Sequence, residues 1–225
     1  MSEGRCFVCA QPVVRGEFFC PRCRMRLQFR RAGFCPLCGE LYALEGEEPY
    51  LCSRCRKKRP PWSSFAFYSE YSGLLRDLLL KFKFGPDLSC AAPLGTFLFK
   101  AYKQRVPRVP DMILPVPLQK DRLGRRGFNQ SLELALQLGR RIKIPVHKRV
   151  LEKQKLTTEQ TSLPRKGRLK NLSGAFTARQ EKIKGKSVLL VDDVATSGAT
   201  FTACTRELLA NGALRVDVIC LARAS

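Results

Sequence analysis

Apolar and polar positions follow different rules on the two sides of residues 56 to 61, RKKRPP. Downstream of that break, short apolar runs alternate with stripes at helical spacing. Residues 65 to 68, FAFY, predict a strand. The segment 71 to 84, YSGLLRDLLLKFKF, spaces its apolar residues as a helix does, with Ser72 as the expected cap. Residues 93 to 102 suit a second helix, and Met112 to Val116 is a short apolar run ending in prolines, suited to a buried strand entering a loop. Residues 130 to 142 predict an amphipathic helix capped by Asn129. Val146 to Leu151 predicts another strand. Residues 152 to 174 are polar and basic and lack either period; a loop that long in a compact domain usually carries function. A strand at 187 to 191, a helix from about Thr200 to Ala210, a stop at Asn211-Gly212 and a strand at 215 to 222 complete the chain. The closing strand, loop, helix and strand are the repeating unit of a parallel sheet. The expected fold class is therefore α/β, a parallel sheet with flanking helices, over residues 61 to 225.

Upstream of the break the pattern is dictated by cysteine. Eight of the 11 cysteines lie in the first 55 residues, in four CxxC pairs: Cys6 and Cys9, Cys20 and Cys23, Cys35 and Cys38, Cys52 and Cys55. The two halves look like a short repeat. Each pair can offer two thiolates to a tetrahedral ion, and two pairs complete a structural zinc site. Four pairs predict two Zn²⁺ in a double zinc ribbon over residues 1 to 60. Sequential pairing is favoured, and spacing alone leaves interleaved pairing open. Cys90, Cys204 and Cys220 stand among apolar neighbours and read as core residues. No secretory pattern is visible at the N-terminus and no stretch approaches the roughly 18 apolar residues of a membrane helix, so a cytoplasmic location without membrane insertion is expected.

Charge changes the picture further. The formal net charge is +22, and residues 120 to 186 carry 19 Lys or Arg against 5 Asp or Glu. Such an excess attracts phosphates, on metabolites or on nucleic acid. The head interleaves Arg5, Arg15, Arg22, Arg24, Arg26, Arg30 and Arg31 with Phe18, Phe19, Phe29 and Phe34, a composition used to bind single strands.

The most specific chemistry lies in VLLVDDVATSGAT, residues 188 to 200. Val188 to Val191 suit a strand buried on both faces. Asp192 and Asp193 follow at its carboxyl end, where open α/β sheets place ligands. Ala195, Thr196, Ser197, Gly198, Ala199 and Thr200 then lead into a helix. Small residues let backbone N–H groups crowd round a phosphate, the helix dipole favours the anion, and the hydroxyls of Thr196, Ser197 and Thr200 add donors. Paired carboxylates beside a phosphate cradle make sense if the ligand also presents sugar hydroxyls or Mg²⁺. A ribose 5-phosphate carrying a pyrophosphate has all three.

This segment resembles the phosphoribosyl pyrophosphate (PRPP) motif of type I phosphoribosyltransferases. The whole chain is similar to the ComF, or ComFC, competence family. The matching pieces are the Cys-rich head, LLLKFKFG at 78 to 85, ILPVPL at 113 to 118, RRGFNQ at 125 to 130, TTEQTSLPRKGRLKNLSGAF at 157 to 176, VLLVDDVATSGAT and VICLARA. Ser197 stands where the family has a second Thr, Ala195 where a Leu is common, and Lys83-Phe84 replaces a more usual Tyr-Arg or Tyr-Lys.

The resemblance implies that Asp192 and Asp193 bind ribose hydroxyls, directly or through Mg²⁺, and that the TSGAT backbone holds the 5-phosphate. Arg122, Arg125 and Arg126 would clamp pyrophosphate in the loop after Val116-Pro117, where Leu114-Pro115 and Val116-Pro117 are candidates for unusual peptide geometry. Residues 157 to 171 resemble the family's catalytic loop, with Lys155, Arg165, Arg168 and Lys170 closing over departing pyrophosphate. Catalysis would be electrostatic and positional. His147 has no role in it. The family implies natural competence and DNA uptake, with single-stranded DNA and other competence proteins as partners. An enzyme of unknown acceptor and a non-catalytic DNA-binding protein on the same fold are the two readings.

Overall fold

Strands of this chain run apolar on both sides, and the computed structural model shows why: helices and the cysteine-rich loops cover both faces of one parallel sheet. It describes residues 4–42, 48–85, 88–119, 123–124, 127–154 and 174–224. In chain order these form β1 (Gly4–Arg5), β2 (Pro12–Val13), α1 (Pro21–Met25), α2 (Ser53–Lys57), β3 (Phe65–Glu70), α3 (Gly73–Phe84), α4 (Ala91–Arg105) and β4 (Met112–Pro115). Then follow α5 (Gln130–Ile142), β5 (Leu151–Lys153), β6 (Phe176–Ala178), α6 (Gln180–Ile183), β7 (Ser187–Ala195), α7 (Ala199–Ala210) and β8 (Arg215–Arg223).

The sheet has the order β3-β8-β7-β4, every pair parallel. On one face Ala66, Tyr68, Ile113, Leu189, Val191, Ile219 and Leu221 pack with α3, α4 and α5. On the other, Phe67, Leu114, Leu190, Val218 and Cys220 pack with α7, α6 and the β5–β6 pair. The alternation of β-strand side chains thus feeds two cores, one per face.

The head divides between those cores. Cys6, Phe19, Cys20, Cys23 and Leu27 join the α3–α4 side, with Phe19 stacked on Phe97 at 5.2 Å. Phe34, Cys35, Cys38, Cys55 and Trp62 join the α7 side. The connecting residues cross the outer edge of β3: Arg30 N–H donates to Tyr68 O at 3.0 Å, and the Tyr68 hydroxyl donates to Leu27 O. An exposed strand edge invites wrong pairing, and this crossing covers part of it.

Several sequence expectations shift by a turn or less. The second helix begins at Ala91 and runs to Arg105, and Ser72 occupies the cap position of α3 without a side-chain cap bond. Asn129 caps α5 as expected, accepting from Ser131 N and Leu132 N. The strand expected at 146 to 151 is a correction: Val146 makes a single parallel bridge to Ile113, and pairing resumes only at Leu151, with β6. Pro145 O and His147 N bracket that bridge with bonds to Ile113, and the exposed Lys148 and Arg149 then interrupt what looked like one run. The β5–β6 pair brings together the two ends of the basic segment. No peptide bond among the described residues is cis, so Leu114-Pro115 and Val116-Pro117 are ordinary. Among the described residues no helix is long and apolar enough to cross a membrane.

Candidate functional site

The acid pair belongs to the strand itself, since β7 continues past Val191 to Ala195. β4 stops opposite Val191, while β8 stays paired through Asp192, Val194 and Ala195. Asp192 and Asp193 therefore stand where one neighbouring strand has just ended, in the crevice at the carboxyl edge that α/β sheets use for ligands. Both are half-buried.

Each carboxylate spends one oxygen on the protein. Asp192 Oδ1 accepts from Ser131 Oγ at 2.7 Å and from Asp193 N at 2.9 Å. Asp193 Oδ1 accepts from Val194 N at 2.7 Å. Ser131 lies in the first turn of α5, whose cap Asn129 also donates to Val116 O at 3.1 Å. Thus Asn129, within RRGFNQ, fixes both the α5 N-terminus and the start of the loop after β4. Phe128 anchors the same corner on Phe82 of α3, centroids 5.6 Å apart. Burial, then repulsion from Asp193, lifts the Asp192 carboxyl to about 7; the Ser131 hydroxyl, the Asp193 N–H and the charge of Lys83 pull the other way. A carboxyl held that high favours a partner that brings positive charge or donates protons.

The turn after β7 is tight and conformationally fixed. Gly198, at the α7 N-cap, has φ +75°, a conformation other residues adopt only with strain. A Cβ there would come within 3.3 Å of the Trp62 ring. Ser197 Oγ accepts from Ala199 N at 3.3 Å. Behind the turn, Arg223 is 4% exposed. Its Nη1 donates to Ala195 O at 3.2 Å and also to Thr196 O. In a trans peptide the C=O and N–H point opposite ways. Holding these two carbonyls fixes the peptide planes on both sides of Thr196, and with them the direction of the Thr196 and Ser197 N–H groups.

The eight head cysteines gather as Cys6, Cys9, Cys20 and Cys23 in one cluster and Cys35, Cys38, Cys52 and Cys55 in the other, each with its sulfurs within 4.8 Å of one another. The grouping is sequential. Cys9 and Cys20 sulfurs lie 3.6 Å apart, Cys38 and Cys52 3.7 Å. Tetrahedral zinc with bonds of about 2.3 Å separates its sulfurs by about 3.8 Å, whereas a disulfide would bring them to about 2.05 Å. Within each cluster the thiols also split. Backbone N–H groups overcome burial to lower Cys6 to about 6, while burial and neighbouring sulfurs raise Cys23 to about 12. A hydrogen bond from Cys38 lowers Cys35 to about 4, and that same bond with burial raises Cys38. Four thiolates crowded together repel, and a bound dication removes that conflict.

Asp192, Asp193 and residues 195 to 200 are brought together in one crevice. Arg122, Arg125, Arg126, Arg165 and Arg168, with Lys155 and Lys170, lie outside the described residues. Sequence reasoning missed Ser131, Lys83, Trp62, Glu40 and Arg223. Ser131 carried one usable signal: two residues past a helix cap, its hydroxyl sits at a helix N-terminus.

A parallel sheet with an acid pair and an anion turn at its carboxyl edge, joined to two four-cysteine clusters, defines a phosphoribosyltransferase-type protein with a zinc-ribbon head. Residues 97–225 match the phosphoribosyl transferase domain and residues 4–56 the double zinc ribbon domain. The DNA utilization protein YhgH of Escherichia coli (strain K12) is 32% identical over 225 residues, covering 98% of this chain and 97% of that protein. Competence protein F of Haemophilus influenzae is 31% identical, covering 92% of this chain and 98% of its own. Competence protein ComFC of Bacillus subtilis is 26% identical, covering 87% and 80%. The chain belongs to the ComF competence family, which joins a double zinc ribbon to a phosphoribosyltransferase domain.

Proposed function

We propose that the crevice binds PRPP, or a related ribose 5-phosphate, together with Mg²⁺. The observation that carries this reading is the juxtaposition of Asp192 and Asp193 with the tight turn of residues 196 to 198 at the N-terminus of α7. The Oδ1 atoms are committed to Ser131, Asp193 and Val194 donors, so the Oδ2 atoms face the task of accepting ribose hydroxyls or coordinating the ion. Mg²⁺ would neutralise pyrophosphate and relieve the repulsion between the two acids. The amides of the turn and the α7 N-terminus would hold the 5-phosphate. Departure of pyrophosphate would leave positive charge on the ribose, which Asp192 and Asp193 are placed to stabilise. The basic side chains of 120 to 126 and 155 to 170 are assigned, from the sequence, to pyrophosphate. Calorimetry with PRPP tests this: binding should require Mg²⁺ and vanish in Asp192→Asn/Asp193→Asn. Absence of binding by PRPP and ribose 5-phosphate alike, or an unaffected double variant, refutes it.

Each four-cysteine cluster holds one structural zinc in this reading. The sulfur spacing supports it, and metal analysis should return two zinc per chain. The boundary near residue 60 then marks where metal-dependent folding gives way to the sheet.

A second reading, single-stranded DNA binding, is favoured by a groove between head and sheet. Two adjoining cavities of about 560 and 450 Å³ share Leu27, Gln28, Phe29, Arg31 and Tyr68. Arg24, Arg31 and Lys100 reach the rim exposed, and Phe29 is half-buried, with Lys100 Nζ 5.4 Å and the Arg105 guanidinium 4.6 Å from its ring centre. Cations beside an aromatic face serve both halves of a nucleotide, phosphate and base. Gel shifts with a single-stranded oligonucleotide test it: Arg24→Ala/Arg31→Ala/Lys100→Ala should weaken binding at least tenfold, and unchanged binding refutes this groove.

A further inference from the structure

We propose that the second four-cysteine cluster and the phosphate turn form one linked unit, with Arg223 as the positioning residue between them, so that zinc in that cluster and a phosphate-bearing ligand at the turn each strengthen the binding of the other. The ligand half of this linkage rests on the PRPP reading; the structural half does not.

Three contacts carry it. Arg223 reaches in two directions from the last position of β8. Nη1 holds the Ala195 and Thr196 carbonyls, while Nε donates to Cys38 O at 3.1 Å and Nη2 to Glu40 Oε2 at 2.9 Å. A planar guanidinium is preorganised for such divergent bonding, which an ammonium group cannot reproduce. Glu40, in turn, accepts from Arg54 Nη2 at 2.9 Å, and the same nitrogen lies 3.4 Å from the Cys38 sulfur. The sulfur of a metal ligand, Arg54, Glu40, Arg223 and the carbonyls of the turn are therefore consecutive members of one hydrogen-bonded chain.

The third contact is Trp62. Its indole N–H donates to Leu37 O, inside the first CxxC of the second cluster, at 2.6 Å. Its ring lies against Gly198 at the turn and against Phe201 in α7, centroids 6.2 Å apart. One side chain thus touches the metal loop and the anion turn. The first cluster, packed on the opposite face of the sheet with α3 and α4, makes none of these contacts among the described residues.

The physical consequence is direct. Ala195 O is held by Ala224 N at 2.9 Å as well, so the guanidinium chiefly fixes the Thr196 carbonyl, and it does so while Cys38 O and Glu40 hold it in place. Loss of metal frees the 35 to 40 loop, the fork loses two of its anchors, and the amides of residues 196 and 197 lose their fixed direction. Linkage is reciprocal, so a ligand that fixes those amides must also retain the metal.

The experiment uses the full zinc-loaded chain. Hydrogen exchange is followed at the hydrogen-bonded amides of the turn, Ala199 and Ala224, in wild type, Cys9→Ser (first cluster), Cys52→Ser (second cluster), Glu40→Gln and Arg223→Lys. Exchange should rise about tenfold in the last three and stay unchanged in Cys9→Ser. No ligand is needed, and Glu40→Gln, a half-exposed conservative change, keeps the test valid if Cys52→Ser does not fold. Zinc release to a chromogenic chelator is then timed with and without ribose 5-phosphate, with Trp62, the single tryptophan, reporting the second cluster by fluorescence. The ligand should slow that phase about fivefold in wild type and leave it unchanged in Arg223→Lys. Equal exchange in wild type and Glu40→Gln overturns the proposal whether or not any ligand binds. Normal ligand binding with unaltered zinc release overturns the linkage while sparing the PRPP reading. Altered exchange with no ligand binding overturns the PRPP reading and with it the ligand half of the linkage, leaving the metal's control of the turn.

Discussion

Ser131 Oγ donates to Asp192 Oδ1 at 2.7 Å, joining the first turn of α5 to the end of β7 across 61 positions of sequence. The bond fixes the carboxylate that burial and Asp193 most strongly discourage from ionising. A hydrogen bond to a charged group contributes about 1.5–3 kcal/mol. Ser131→Ala should therefore weaken Mg²⁺–PRPP binding by about tenfold and raise the pH at which binding is half-maximal. Isothermal calorimetry between pH 6 and 9 measures both; an unshifted pH midpoint would show that Asp192 is not the titrating group.

Stability should run against ordinary expectation at the same residue. Asp192 in the folded chain titrates near 7, above its usual value of 3.8. The folded state holds a proton that the unfolded state has released, so stability is full below about pH 4 and falls as pH rises through 7. In Mg²⁺-free buffer, Asp192→Asn should accordingly stabilise the protein at pH 8, by about 1–3 kcal/mol after discounting for partial exposure, and change little at pH 4. Asn keeps an acceptor for Ser131 and for Asp193 N–H. Urea denaturation at the two pH values gives the comparison, and a variant less stable at pH 8 contradicts it.

Gly198 is the turn's conformational requirement. Alanine there would hold φ +75° at a cost of about 1–2 kcal/mol and press on Trp62. Gly198→Ala should lower the melting temperature by several degrees and reduce ribose 5-phosphate affinity more than tenfold. Fluorescence of Trp62 should shift as well. Wild-type affinity in this variant would remove the turn from the phosphate site.

If the groove around Phe29 takes single-stranded DNA, affinity should fall steeply with salt, with a slope of about −0.7 per phosphate neutralised. Removing Arg24, Arg31 and Lys100 should flatten that slope by about 2. Phe29→Ala should weaken binding at every salt concentration and leave the slope alone, since stacking releases no counterions. Fluorescence anisotropy from 50 to 300 mM salt separates the two effects.

Much of the fold was legible because local rules decided it. The stripe of Gln130–Ile142 and its Asn129 cap gave α5 its bounds, and VLLVDD announced a strand buried on both faces. Val146 to Leu151 misled because its apolar residues are split by two exposed cations, and its pairing partners lay far away in sequence. Ser131, Trp62 and Arg223 left almost no trace. Each acts through an atom supplied by a distant segment, and no spacing rule encodes such a partner.

The sequence by itself determined the kinds of element, the four CxxC pairs and the acid pair with the turn that follows it, because these depend on periodicity and on neighbours a few residues apart. Only the tertiary structure decided that the two four-cysteine clusters lie on opposite faces of the sheet, that β4 ends beside Asp192 while β8 continues, and that Arg223 ties the second cluster to the turn after β7. Those relationships follow from the order β3-β8-β7-β4 and from which face each side chain meets, and only the folded sheet sets both.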